Sequence, residues 1–105
     1  MSANHFLKSL PSVLNDHAVA GVNCTIQFNV AEPTYATISD SACTVANGTA
    51  GDPNVTLTIA DDDLISLFKG DLDGITAFMT GKLQVEGDLM LAQQISGFFN
   101  ASKLG

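Results

Sequence analysis

Between Val22 and Val30 the chain alternates. Val22, Cys24, Ile26, Phe28 and Val30 are apolar, and Asn23, Thr25, Gln27 and Asn29 between them are polar. A period of two predicts a β-strand with one buried face and one polar face. Glu32-Pro33 marks a turn, after which Ala36 and Ile38 continue the pattern with Tyr35, Thr37 and Ser39 opposite. Cys43 and Val45 predict a third short strand. Val55, Leu57 and Ile59, spaced by Thr56 and Thr58, predict a fourth, and Leu83 and Val85, with Gln84 and Glu86 opposite, a fifth. Asn47-Gly48 is a hairpin signal, but Gly51-Asp52-Pro53 follows so closely that one longer loop fits better.

Elsewhere the period lengthens. Phe6, Leu7, Leu10, Val13 and Leu14 recur at three- and four-residue steps and predict a helix over Asn4 to Ala20. Pro11 lies either in its first turn or at a kink, and Gly21 supplies a stop. Asp61-Asp62-Asp63 opens a second helix through about Lys69, in which Asp61 is placed to cap and all three carboxylates suit the positive end of the helix dipole. Its apolar face is Leu64, Ile65, Leu67 and Phe68, and Gly70 ends it. Asp73 to about Met79 predicts a third helix, broken by Gly81, and Leu89 to about Phe99 a last one after the Gly87-Asp88 turn. A sheet covered on both sides would show continuous apolar runs. The alternating strands therefore predict helices on one side only. The expected class is α+β, a five-stranded mostly antiparallel sheet with helices covering one face.

A chain of 105 residues fits a single domain over 1–105. With 46% hydrophobic and 14% charged residues, it has the material for a core and is not disordered by composition. Its net charge is −7, with no arginine and with Lys8, Lys69, Lys82 and Lys103 scattered. Nucleic-acid binding needs clustered cations to displace phosphate counterions, so it is excluded as an expectation. Strong adsorption to anionic lipid is disfavoured for the same reason. No apolar run reaches the roughly 18 residues of a membrane span, and Met1 to Lys8 lacks the pattern of a secretory signal. The expectation is a cytoplasmic protein without stable membrane insertion. Ser102-Lys103-Leu104 spells a peroxisomal address, but Gly105 follows it, and the address is read at the extreme C-terminus.

Reactive chemistry is sparse. If the first three strands form a meander, Cys24 and Cys43 lie two strand spacings apart, about 9.5 Å, beyond the reach of a disulfide. Both are expected as buried thiols acting as small hydrophobes. His5 and His17 stand outside any nucleophile context. The three aspartates lack calcium-loop spacing, and the glycines form no phosphate-cradling pattern. No metal, no cofactor and no catalysis are expected.

The second half of the chain carries a more specific signal. Asp52-Pro53-Asn54-Val55-Thr56-Leu57-Thr58-Ile59 is followed by Asp61-Asp62-Asp63-Leu64, Gly70, Ala77-Phe78-Met79-Thr80-Gly81-Lys82-Leu83 and Val85-Glu86-Gly87-Asp88-Leu89-Met90-Leu91-Ala92. This ordered set resembles the sterol carrier protein type 2 family, most specifically from Ala77 to Ala92. The first half matches only in its layout of a helix followed by strands. The resemblance implies a sheet backed by helices enclosing an apolar tunnel, in a domain that binds sterols, fatty acids or phospholipids without catalysis. Related domains also act as accessory modules of larger enzymes or in handling isoprenoid quinone intermediates. The scarcity of cations disfavours acyl-CoA as a ligand.

The last helix and its surroundings are the candidate site. Leu91, Ala92, Ile95, Phe98 and Phe99 fall on one broad face, and Leu89, Met90, Gln93 and Gly97 nearer the other. If the helix closes the tunnel, Met90 and Phe99 adapt to ligand shape, as flexible methionines do, and Gln93 is placed to hydrogen-bond a lipid head group. Phe68, Ile75, Phe78, Met79 and Leu83 then line the opposite wall. The same spacing also fits plain core packing, and periodicity alone does not separate the two. Two functions stand side by side. One is carriage of an apolar ligand. The other is an accessory scaffold, as a homodimer or with a partner enzyme, that presents a hydrophobic substrate. The uncharged polar face of the sheet, where only Glu86 is ionised, is easily desolvated against such a partner.

Overall fold

Pro11 decides the N-terminal segment. Proline has no N–H to donate and its ring collides with the carbonyl one turn back, so the helical ladder cannot run through it. In the computed structural model, which describes residues 3–69 and 71–98, the single helix expected over Asn4 to Ala20 is three short pieces. These are α1 (Ala3–Lys8), one tight 3-10 turn (Leu10–Val13) with Pro11 in its opening positions, and α2 (Asp16–Val19). The hydrogen bonds tighten at the break, where the Ser9 N–H donates to the Phe6 carbonyl at 3.0 Å. Gly21 ends the segment with φ +75°, a left-handed conformation that glycine adopts without strain. Breaking the helix still buries its apolar side: Phe6, Leu7, Leu10 and Val19 are all closed to solvent.

The strands follow their alternation closely. They are β1 (Cys24–Asn29), β2 (Thr34–Ser39), β3 (Ala42–Asn47), β4 (Val55–Ile59) and β5 (Leu83–Gly87), in the order β3-β2-β1-β4-β5. Only the β1–β4 pair is parallel. Register places Ile26 between Ala36 and Val55, and Phe28 between Thr34 and Leu57. Leu57 in turn opposes Val85, and Ile59 opposes Leu83. Residues directly opposite share a face, so one side of the sheet is apolar except at the β2–β3 end, where Thr34 and Asn47 accept hydrogen bonds from the buried Asn4 amide. The β2–β3 hairpin turns on Asp40 (φ 53°) and Ser41 (φ 61°). Two left-handed residues in a two-residue loop match the twist of the flanking strands. Cys24 and Cys43 both oppose Ile38 from either side, and both thiols are free and buried. Burial, and then the charge of Asp88, pushes Cys24 up from its ordinary value. Burial and then Cys24 push Cys43 up to about 11.

The remaining helices are α3 (Asp61–Lys69), α4 (Gly74–Met79) and α5 (Leu89–Phe98). Helix α1 packs on α3, and α5 packs on α2, β4 and β5, so the apolar side of the sheet is covered. Asp61 lies in the first turn of α3, where its charge suits the helix dipole as expected, but its carboxylate reaches other segments. Its carboxylate accepts the Ala3 N–H (3.2 Å), at the start of α1, and the Ala31 N–H (2.9 Å), in the β1–β2 turn. It thereby ties three segments together. Gly70, expected to end α3, lies outside the described residues.

The other side of the sheet is crossed by chain. β3 and β4 run in the same direction, and β3 ends level with Phe28 while β4 begins level with Ile26, so residues 48–54 step back along the strands while crossing β2 and β1. Gln27, polar by its place in the alternation, is buried beneath this strap. Its Oε1 accepts the Ala50 N–H (2.7 Å), and its Nε2 donates to the carbonyls of Gly48 (3.2 Å) and Thr34 (3.4 Å). At the far end of the strap, Asn54 pairs with Thr25 through two hydrogen bonds of 2.9 Å. A buried amide is tolerated when its donors and acceptor are all engaged.

Candidate functional site

Two capped helices flank the edge strand β5. The Asp73 carboxylate accepts the Thr76 N–H (3.1 Å) and hydroxyl (3.0 Å), which starts α4 cleanly after the chain leaves α3. Six residues later α4 stops at Thr80, whose N–H and hydroxyl both turn back to the Thr76 carbonyl. Of α4 only Ala77 is buried. Ile75, Phe78 and Met79, three and four residues apart, therefore share the side turned away from the core.

At the other end of β5 the junction with α5 is held by backbone. Gly87 has φ +99°, and a Cβ there would lie 2.5 Å from the Asn54 carbonyl oxygen, so any side chain would collide with fixed main chain. The Asp88 N–H donates to that same carbonyl (3.0 Å), and the Asp88 carboxylate caps α5 by accepting the Leu91 N–H (3.1 Å). Leu91 and Phe98 turn into the core, whereas Leu89 and Met90 of the first turn do not. Further along, the Phe98 carbonyl accepts the Asn15 N–H at 2.7 Å, pinning the end of α5 beside α2.

The outcome is a local concentration of exposed apolar side chains. Ile75 is 70% exposed, Phe78 53%, Met79 78%, Leu89 54% and Met90 73%. Single exposed hydrophobes are ordinary, but three on one side of a six-residue helix and two in one helical turn are more than chance scatter. All five belong to α4 and the first turn of α5, and both helices pack on β5.

The ten residues expected to line the site separate into groups. Ile75, Phe78, Met79 and Met90 are the exposed set, and Leu89, not foreseen as a site residue, joins them. Leu83 and Phe98 are buried in the core, Leu83 on β5 and Phe98 at the far end of α5 beside α2. Phe68 sits elsewhere, its ring 6.0 Å from that of Phe6 and 6.3 Å from that of Phe28, inside the aromatic cluster under α1 and α3. The side chains of Gln93 and Ile95, and the whole of Phe99, lie outside the described residues. What could have marked Leu89 is its place directly after the capping Asp88, where the first turn has few neighbours. No group of three or more His, Cys, Asp or Glu that could hold a metal occurs among the described residues. No helix among them is long and apolar enough to cross a membrane.

Similarity to known proteins identifies the fold and the family. The human stomatin-like protein 1 is 30% identical over 108 residues, 96% of this chain and 27% of that protein. The peroxisomal multifunctional enzyme A of Dictyostelium discoideum is 38% identical over 52 residues, half of this chain and 12% of the enzyme. The chain thus spans roughly a quarter or less of the length of these relatives. Among solved structures, apo sterol carrier protein 2 from Yarrowia lipolytica superposes with a TM-score of 0.74 at 27% identity, over 97% of this chain and 90% of that one. The palmitate complex of sterol carrier protein 2 from Aedes aegypti gives 0.69 at 14% identity, over 96% and 98%, and shows a common fold. The model of the SCP-2 sterol transfer family matches residues 3–100. With the five-stranded sheet, its helical cover and the Val85-to-Ala92 junction all in place, the chain belongs to the SCP-2 sterol transfer family.

Proposed function

We propose that this chain binds an apolar ligand without catalysing its conversion, taking it up between α4 and the start of α5 and holding its hydrocarbon against the core. One observation carries the reading: five large apolar side chains stand exposed around β5, while those under α1 and α3 are sealed. In this reading the buried Leu83, Leu91 and Phe98 supply the apolar interior toward which the hydrocarbon extends. Gln93, Ile95 and Phe99 belong to the same proposed lining through their place on the last helix. The palmitate complex of the Aedes aegypti carrier, which shares the fold, supports a lipid as occupant.

A second reading has its own support. The chain spans only part of its larger relatives, so the same surface could hand a hydrophobic substrate to a covalently linked or separate enzyme. Both readings keep the apolar ligand and differ in who receives it.

The test is native mass spectrometry with thermal unfolding across a panel of sterols, fatty alcohols, fatty acids and isoprenoids. A ligand that binds only the folded state raises the melting temperature, by about 2.7 kcal/mol of stability at a hundredfold excess over Kd. A bound apolar mass with such a shift is expected. A clean dimer that takes up no member of the panel would overturn the carrier reading in favour of a scaffold.

A further inference from the structure

The two edges of the sheet are built differently. β5 follows Lys82, carries the exposed Glu86 and ends at Gly87 against the Asn54 carbonyl. Charges on an edge strand are a usual defence against further pairing. β3 has no such defence. Residues 41–51, which contain it, have no charged side chain and no proline, in a molecule of net charge −7. Its backbone is also poised to pair. Ser39 and Ala42 flank the two-residue turn and exchange hydrogen bonds, and the alternation runs on to the Gly48 N–H, which donates to the Pro33 carbonyl at 2.8 Å. Ala42, Thr44 and Ala46 therefore bond to β2, and Cys43, Val45 and Asn47 turn their N–H and C=O groups away from it. Among the described residues no other strand or backbone segment bonds to these groups. The strap leaves β3 toward β2 and β1, and Thr44 and Ala46 stay exposed.

We propose that two copies of this chain pair edge to edge through β3, antiparallel, about a twofold axis perpendicular to the sheet. The symmetric register sets Val45 opposite Val45 of the second copy, and Cys43 opposite its Asn47. Every outward N–H then meets an outward carbonyl, and each side chain stays on its own side of the sheet. Val45, half-buried at the margin of the core, meets its counterpart there, and Thr44 meets Ala46 on the polar side. The acidic surface of one copy repels that of another over most approaches. At β3 the nearest carboxylates, Asp40 and Asp52, lie outside the paired strands. The occupant that fits is an uncharged strand with the same alternation, and the chain itself presents one. The pairing does not depend on the apolar-ligand reading above.

The test is sedimentation equilibrium of the delipidated chain at increasing concentration. A single strand pair is a small interface, so a reversible dimer with a Kd on the order of 10–100 μM is expected. Thr44 is exposed, and in this register it lies diagonally across from Thr44 of the second copy, about 7–8 Å away. Thr44→Lys and Thr44→Glu, each alone, are expected to weaken the dimer about tenfold by placing like charges together. An equimolar mixture of the two is expected to recover it as a heterodimer. Thr44→Lys lowers the net negative charge, so its loss of dimer does not come from bulk repulsion. Val45→Pro removes an outward N–H and leaves the bonds to β2 in place, and it is expected to be monomeric with its far-ultraviolet circular dichroism unchanged. A chain that stays monomeric up to about 1 mM, well above the range of such an interface, overturns the proposal. A dimer indifferent to both Thr44 variants, or one that the mixture fails to recover, overturns it as well.

Discussion

The same kind of apolar spacing has two fates in this molecule. Under α1 and α3, Phe6, Leu7, Ile26, Phe28 and Ile38 are closed to water, and the Phe68 ring fills the space between Phe6 and Phe28. Around β5, Ile75, Phe78, Met79, Leu89 and Met90 follow an equally regular spacing and are open. Where two helices and the centre of the sheet converge, most apolar side chains find partners, and Ile65, Leu67 and Phe68 pack half-buried against the rest. Where a six-residue helix and one helical turn meet an edge strand, there is nothing left to cover them. Periodicity reports which residues are apolar on one side of an element. It does not report whether the molecule supplies a lid.

The contrast can be broken most severely from the sealed side. Phe28→Ala removes a fully buried ring and is expected to cost about 3–5 kcal/mol, read as a lower denaturation midpoint in urea. A loss below about 1 kcal/mol would mean that this region is as loosely packed as the edge. Gly87→Ala comes next, with an expected cost of about 2–3 kcal/mol. The new methyl must displace the Asn54 backbone and hold a left-handed φ. Calorimetry of this variant tests whether the β5–α5 junction is rigid despite its open surroundings.

Phe78→Ser sharpens the comparison from the open side. Its effect on stability should stay within about 0.5 kcal/mol, because an exposed ring has little to lose. Its affinity for a bound hydrocarbon should fall about tenfold, since ligand contacts are all it has. Equal losses in both measurements would place Phe78 in the core instead. A further effect is confined to the alkaline limb of stability, outside the neutral range. Cys43 ionises near its ordinary value of 9.0 in the unfolded chain and at about 11 when folded. In that interval the folded state holds the extra proton, so stability present below pH 9.0 is lost as pH rises toward about 11. Against a Cys43→Ala reference, the wild-type protein should lose stability more steeply across this window. Parallel profiles would show that the thiol is open to water.

Much of the fold is legible in the order of the amino acids. The alternation of Ile26 and Phe28, and of Val55, Leu57 and Ile59, places one face of the sheet directly, because a period of two leaves no choice of side. The resemblance from Ala77 to Ala92 locates the β5–α5 junction, and Gly87 and Asp88 are its steric and capping elements. Three features resist such reading. Pro11 announces a helix start or a kink, but not that the pattern falls into three short pieces. Gln27 has the spacing of a surface residue, since only a parallel β1–β4 pairing, a contact between distant segments, brings the strap across it. Asp61 has the position of a cap for the helix it begins, yet its partners, Ala3 and Ala31, are far away in sequence. For Gln27 and Asp61 a non-local contact decides the outcome. The candidate site is legible in its residues but not in its openness, because exposure depends on what packs nearby.

The central parallel pair has a consequence during synthesis. While a ribosome has delivered only the first three strands, β1 has β2 on one side and nothing on the other, although its inward row is Cys24, Ile26 and Phe28. The missing neighbour is β4, made only after the strap has emerged. A nascent chain stalled before Val55 therefore carries an unsatisfied strand edge at its most apolar point, a template for pairing with another chain. Chaperone capture of such stalled chains should end abruptly once Ile59 clears the exit tunnel.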